Sequence, residues 1–241
     1  MTNRAGEAGP GTGNRTAIVA GATGLIGREL VRQLLEDDGC DRVIALVRRP
    51  TGSAHPKLEE RPTDYERLGS GPGDDEGFGG ADLFCALGTT IKKAGSQAQF
   101  RKVDLDYPLR LGEIGARAGA RSYSLVSAMG ANAKSGVFYN RVKGETEERL
   151  AALGPSAFYA FRPSLLLGER DEFRFGERAA AALAKPLSFV FTGPLANYKP
   201  IEAAAVAAAM IATARTGSPG RRVVENGEIA AIAASAKTHN R

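Results

Sequence analysis

The feature that most constrains this chain is an apolar run that ends in a glycine turn and passes straight into an amphipathic segment. Thr16–Ala20 (TAIVA) has the unbroken apolar character of a strand buried on both faces of a parallel sheet. Gly21-Ala22-Thr23-Gly24-Leu25-Ile26-Gly27 follows, and Ile26, Leu30 and Leu34 then recur every fourth residue on one helical face. Gly39 stands where such a helix would stop. A pyrophosphate requires backbone N–H groups at a helix N-terminus, with no side chain holding the ligand away. Gly21 suits the tight turn, Gly24 the close approach and Gly27 the packing of helix on sheet. The spacing G-x-x-G-x-x-G alone is common in plain strand-to-helix turns. Its place between strand and helix predicts a dinucleotide site on Gly21, Thr23, Gly24, Leu25, Ile26 and Gly27.

Arg42–Val47 (RVIALV) reads as a second strand and closes a βαβ unit. Further compact apolar stretches at Ala81–Leu87, Ser122–Val126 and Ala157–Phe161 alternate with helical or loop segments. The alternation predicts an α/β fold, a doubly wound parallel sheet of the Rossmann type with a small C-terminal substrate-side region. A length of 241 residues suits one such domain, and 43% apolar with 24% charged residues is ordinary globular usage. The expected organisation is a disordered arm over 1–15, a single nucleotide-binding domain over 16–230 with substrate-side elements mainly from 164–200, and a tail over 231–241. Six glycines in Gly69–Gly80 predict a mobile surface loop. Pro108 predicts a kink or a fresh start within the helical periodicity of Gln97–Gly119.

Several function classes are disfavoured. The net charge of +5 is spread without a basic block, so no nucleic-acid partner is expected. The two histidines, His55 and His239, have no ligand spacing around them, and no metal is expected. Cys40 and Cys85 suggest no disulfide framework and, with no secretory signal in the first fifteen residues, a cytoplasmic location. Ala203–Ala214 is too short to span a bilayer and reads as a buried helix.

Where the second strand ends, an NAD site would carry an acid for the ribose 2′-hydroxyl. Here the chain has Val47-Arg48-Arg49. A guanidinium pairs with a 2′-phosphate, so NADP(H) is expected over NAD(H), with Arg48 carrying most of the weight and Arg49 beside it. The competing reading is two solvated charges before Pro50. Asp64 is either an adenine acceptor or a turn residue.

Tyr139 and Lys143 lie four residues apart, on one face of a helix that starts near Val137. A free phenol has a pKa near ~10, and a neighbouring ammonium makes it a better proton exchanger at neutral pH. Ser127, just past the strand Ser122–Val126, falls at the carboxyl edge of the sheet, where it could orient a carbonyl; Ser124 is close enough to compete for that role.

Glycine turn, Ser127, Tyr139 and Lys143 in this order resemble the short-chain dehydrogenase/reductase superfamily. The stretches Cys85–Thr90 (CALGTT), Val126–Ala131 (VSAMGA), Lys143-Gly144-Glu145, Phe161-Arg162-Pro163-Ser164 and Val224-Glu225-Asn226 with Glu228-Ile229 narrow the resemblance to its atypical branch of TIP30-like and NmrA-like proteins. That resemblance implies catalytic roles for Ser127, Tyr139 and Lys143. It further implies cofactor contacts from Leu87, Gly88, Thr89, Tyr139, Lys143, Pro163 and Leu165. One departure is visible: where the superfamily often places an Asn that helps hold a proton-relay water, this chain reads Lys102-Val103-Asp104-Leu105-Asp106.

The expected function is an NADP(H)-dependent oxidoreductase acting on a carbonyl or alcohol whose identity the sequence does not give. A regulatory protein whose cofactor occupancy controls a partner is the alternative, and a nucleotide-sugar epimerase comes third. Monomer and homodimer are both open. Arg170–Phe175, with Lys185, Phe189 and Phe191, is either an aromatic, basic substrate lid or a surface helix packed on the core.

Overall fold

The computed structural model describes residues 15–167 and 199–239. The early chain folds as its pattern requires: β1 (Thr16–Ala20), the glycine turn, α1 (Leu25–Leu35) and β2 (Arg42–Val47) follow one another. Next come β3 (Leu58–Pro62), β4 (Asp82–Cys85), the short helices α2 (Ile91–Ala94) and α3 (Gln97–Arg101), α4 (Tyr107–Ala118) and β5 (Ser122–Val126). The described remainder is α5 (Phe138–Ala152), β6 (Ala157–Arg162), β7 (Leu166–Leu167), β8 (Ile201–Glu202), α6 (Ala203–Thr216), β9 (Gly220–Glu225) and α7 (Asn226–His239).

Seven strands form one sheet in the order β3-β2-β1-β4-β5-β6-β9, with every pair parallel. The order reverses between β1 and β4, which opens a crevice at the carboxyl ends of those strands, the usual ligand position in such sheets. One face packs Val19, Val43 and Tyr159 against Leu30, Val206, Met210 and Ile229 of α1, α6 and α7. The other packs Ile18, Leu83 and Phe158 against Leu111, Ile114, Val142 and Leu150 of α4 and α5. The Ala-rich run is thus a core helix, and no helix among the described residues is long and apolar enough to cross a membrane.

Three details differ from expectation. Arg15 is not part of a loose arm: it donates to Asp82 at 2.8 Å beneath the sheet. The glycine-rich loop is anchored, because Phe78 is fully buried against Ile44 and Leu83 in the core that also holds Tyr65 and Leu68. Burial of one aromatic side chain, worth about 2–3 kcal/mol, offsets part of the flexibility of its glycines. Residues 231–239 continue α7 instead of forming a tail, with Ala233 buried against the core and Ile232 packed beside it. Pro108 does start a fresh helix, in the first turn of α4, and a π-helical turn at Lys102–Asp106 precedes it.

The substrate-side expectation for 164–200 falls mostly outside the described residues, as do Arg170–Phe175, Lys185, Phe189 and Phe191. The two ends of that excursion are joined. Leu166–Leu167 pairs with Ile201–Glu202, and the Ser164 hydroxyl donates to Lys199 O at 2.6 Å. Asn226, buried, donates through its amide to the same carbonyl at 2.8 Å and accepts from Ser164 N at 3.0 Å.

Candidate active site

The glycine turn lies at the switch point. Gly21 adopts a φ of +80°, and a Cβ there would stand 2.6 Å from Ala86 O in the loop after β4. Gly24 is the N-cap of α1, and no side chain caps that helix. Thr23 and Gly24 are exposed, so an uncapped helix N-terminus opens on the crevice, the cradle a pyrophosphate fits. Beneath it the buried Tyr65 hydroxyl donates to Leu46 O at 3.0 Å, while its ring stacks on Tyr107.

A Cβ on Gly27 would lie 2.0 Å from Gly21 O. Both are backbone atoms, so no rotamer relieves the clash. Gly27→Ala is therefore expected to cost about 3 kcal/mol or more, a fall in Tm on the order of 10 °C for a domain of this size. A thermal melt matching the parent would contradict this.

Arg48 and Arg49 are exposed just beyond β2, and neither guanidinium makes a hydrogen bond or ion pair among the described residues. Asp64 is exposed and its carboxylate accepts from Glu66 N at 2.9 Å, the behaviour of a turn residue.

Tyr139, Lys143 and Glu147 are spaced by four along α5 and form one stripe facing the sheet edge. The Tyr139 ring is half-buried against Phe100, with centroids 5.7 Å apart. Lys143 is 5% exposed, and its Nζ lies 3.4 Å from Val126 O and 2.8 Å from Asp104 Oδ1. Asp104 Oδ1 makes no aligned hydrogen bond, so this contact is an ion pair. Burial alone would push the Lys143 ammonium down, but the Asp104 carboxylate outweighs it and holds the ammonium above its ordinary value. Asp104 Oδ2 accepts from Thr89 N at 2.9 Å, which ties the loop after β4 into the same cluster. Gly88 borders it, since a Cβ there would lie 3.8 Å from Lys143 Nζ.

Ser127 takes a different part from the one expected. It is 4% exposed and donates to Glu147 Oε1 at 2.5 Å. Glu147 is also held by Arg162 Nε at 2.9 Å and Nη2 at 2.7 Å, an arrangement for a carboxylate that only accepts. The one Ser127 proton is directed at Glu147 here, so orienting a substrate carbonyl would require the hydroxyl to turn away from that partner. Ser124 is no substitute, being fully buried within β5. Pro163 O accepts from Met129 N at 3.1 Å, which braces the edge beyond β5, and Leu165 is exposed beside it.

Sequence reasoning missed Glu147 and the role of Arg162. Their signal was available: a charge closing the apolar strand AFYAFR, and an acid one turn beyond Lys143 on the same face.

Residues 17–135 match the NAD dependent epimerase/dehydratase family. Protein HTATIP2 of Rattus norvegicus is 34% identical over 171 residues, 68% of each chain. Protein FMP52, mitochondrial, of Eremothecium gossypii is 32% identical over 90% of this chain and 96% of its own. The chain belongs to this NAD(P)-binding, short-chain-dehydrogenase-like family, together with HTATIP2 and FMP52. In fold it is similar to MoeE5 in complex with UDP-glucose and NAD, at TM-score 0.63 and 17% identity over 92% of this chain and 81% of that one. The UDP-glucose 4-epimerase of Thermotoga maritima with UDP-glucose gives TM-score 0.61 and 16% identity, covering 93% and 82%.

The family corrects one expectation. Its fungal members are named mitochondrial, so the cytoplasmic location does not stand.

Proposed function

We propose that this family member is an NADP(H)-dependent reductase of a carbonyl compound. The observation that carries the reading is Lys143, a buried, charged lysine one helical turn from Tyr139 at the carboxyl edge of the sheet. A buried ammonium is costly and a packed apolar residue would serve the fold as well, so its retention beside a phenol is best explained by proton chemistry. The bound dinucleotide would supply hydride. Tyr139 would place its hydroxyl against the carbonyl oxygen and deliver the proton, with Lys143 stabilising the phenolate left behind. Ser127 acts through Glu147 and Arg162 to set the loop after β5, and is a positioning residue in this scheme.

Arg48 and Arg49 support the choice of NADP(H), since both guanidinium groups are exposed and available to a 2′-phosphate. Fluorescence titration is expected to show NADPH binding at least tenfold tighter than NADH, about 1.4 kcal/mol. Arg48→Glu should erase that difference while leaving NADH affinity near the parent value. Equal affinities in the parent, unaffected by the substitution, would refute the cofactor assignment.

The commitment of Ser127 to Glu147 favours one second reading, an NADP(H)-binding regulatory protein in which turnover is incidental. Absence of NADPH consumption across a panel of aldehydes and ketones, with partner binding that changes on NADPH addition, would decide for it.

A further inference from the structure

Asp104 is 1% exposed and has no part in the scheme above. It lies in the π-helical turn Lys102–Asp106, where Tyr107 N bonds back five residues to Lys102 O. Pro108 has no N–H to give the Asp104 carbonyl four residues before it. The Thr146 hydroxyl of α5 lies 2.9 Å from that carbonyl and 2.8 Å from Val142 O, so its one proton serves the two between them, and main chain and side chain of Asp104 both meet the elements that carry the site. One carboxylate oxygen holds Thr89 N and the other meets Lys143 Nζ. Single π turns of this kind occur frequently at functional sites.

A buried ion pair is weak evidence for stability, because desolvation takes back most of the attraction. Its electrostatic consequence is definite. Lys143 alone would impose a full positive charge on the neighbouring phenol, whereas Lys143 with Asp104 presents a nearly neutral pair. The groups facing Lys143 are Asp104 from the π turn, Tyr139 from its own helix and the Cys85 thiol of β4, which burial pushes up and keeps neutral. Asp104 is therefore the only counter-charge among them.

We propose that Asp104 is a positioning residue for the reaction: its carboxylate, held by Thr89 N, compensates the Lys143 charge one helical turn from Tyr139 and so sets the field in which the phenol exchanges its proton. This rests on the reductase reading. It also explains why the stretch that often carries a relay Asn in the wider superfamily carries an acid here.

The test follows the Cζ resonance of ¹³C-labelled Tyr139, assigned by its loss in Tyr139→Phe, as pH is raised. The readout needs neither substrate nor turnover. Asp104→Asn should lower the Tyr139 titration midpoint by at least about one pH unit, the usual scale for one adjacent charge. Lys143→Met should raise it by a comparable amount, and Asp104→Asn with Lys143→Met should return it to within about half a unit of the parent. If Asp104→Asn does not melt cooperatively, Asp104→Ser is titrated in its place. A midpoint unmoved by the loss of Asp104, or a double variant that stays displaced, would overturn the proposal even if NADPH-driven turnover is found. In NADPH oxidation assays the basic limb of kcat/KM should move down with the midpoint in Asp104→Asn. Full turnover by Tyr139→Phe would instead bring down the reductase reading itself.

Discussion

Tyr139→Phe is expected to lower kcat for NADPH-driven carbonyl reduction by about 10²–10⁴-fold, while NADPH affinity changes by less than about twofold. The substitution removes one oxygen and keeps the ring, whose packing on Phe100 fixes the first turn of α5. That oxygen is half-exposed and accounts for none of the hydrogen bonds described within the chain, so the fold should be indifferent to it. Loss of rate with binding retained is the signature of a group used only in the transition state. Lys143→Met should also lower the rate, but by resemblance to the superfamily it would lose cofactor affinity too, because Lys143 is expected to hold the nicotinamide ribose. The two variants measured together thus separate proton delivery from cofactor binding. Undiminished kcat in Tyr139→Phe would remove Tyr139 from the mechanism.

The outline of this fold was legible because its signals are local. TAIVA, the glycine turn and the four-residue recurrence of Ile26, Leu30 and Leu34 specify one βαβ unit without help from distant chain. The doubly wound parallel class followed from the same alternation, while the strand order itself emerged only with the structure. What escaped depends on contacts between elements remote in sequence. Phe78 looks like a lone aromatic in a flexible loop until β2 and β4 are placed beneath it. The π turn carries Asp104, which meets both Thr89 in the loop after β4 and Lys143 of α5, contacts invisible in the periodicity of the segment itself. Ser127 lies on the expected edge of the sheet, but a strand-terminal serine does not reveal that a buried carboxylate twenty residues later accepts from its hydroxyl. Arg162 belonged to a recognised stretch, yet its role became physical only when Glu147 was seen beneath it.

Two buried carboxylates thus flank Lys143 and Ser127, and they differ in kind. Asp104 faces Lys143 and accepts from Thr89 N, so its charge bears on the phenol of Tyr139 in the proposed reaction. Glu147 faces Arg162 and Ser127, and its charge is spent holding β5, β6 and α5 together. Removing each should therefore have different consequences: a displaced titration for Asp104, and a loss of folding free energy for Glu147.

For Glu147 the expected loss is large. Glu147→Ala would leave the Arg162 guanidinium, whose ordinary value Glu147 holds raised, facing a buried gap with only Glu225 at its outer side, 3.1 Å from Nη1. It would also strip Ser127 of its acceptor. Breaking one partner of a buried ion pair costs about 3–5 kcal/mol, a fall in Tm on the order of 10 °C at this chain length. Arg162→Met alone should be similarly damaging, since Glu147 is 1% exposed and would be left with Ser127 and with Arg221 at 3.8 Å. Glu147→Leu combined with Arg162→Met removes both charges together and should recover most of the stability, which a double-mutant cycle of thermal melts would read as strong coupling. The recovered variant separates structure from chemistry, because its NADPH affinity should match the parent if the pair acts only through the fold. A Glu147→Ala protein that melts within about 2 °C of the parent would show that the pair contributes little, and Ser127 would then be free to return to the substrate.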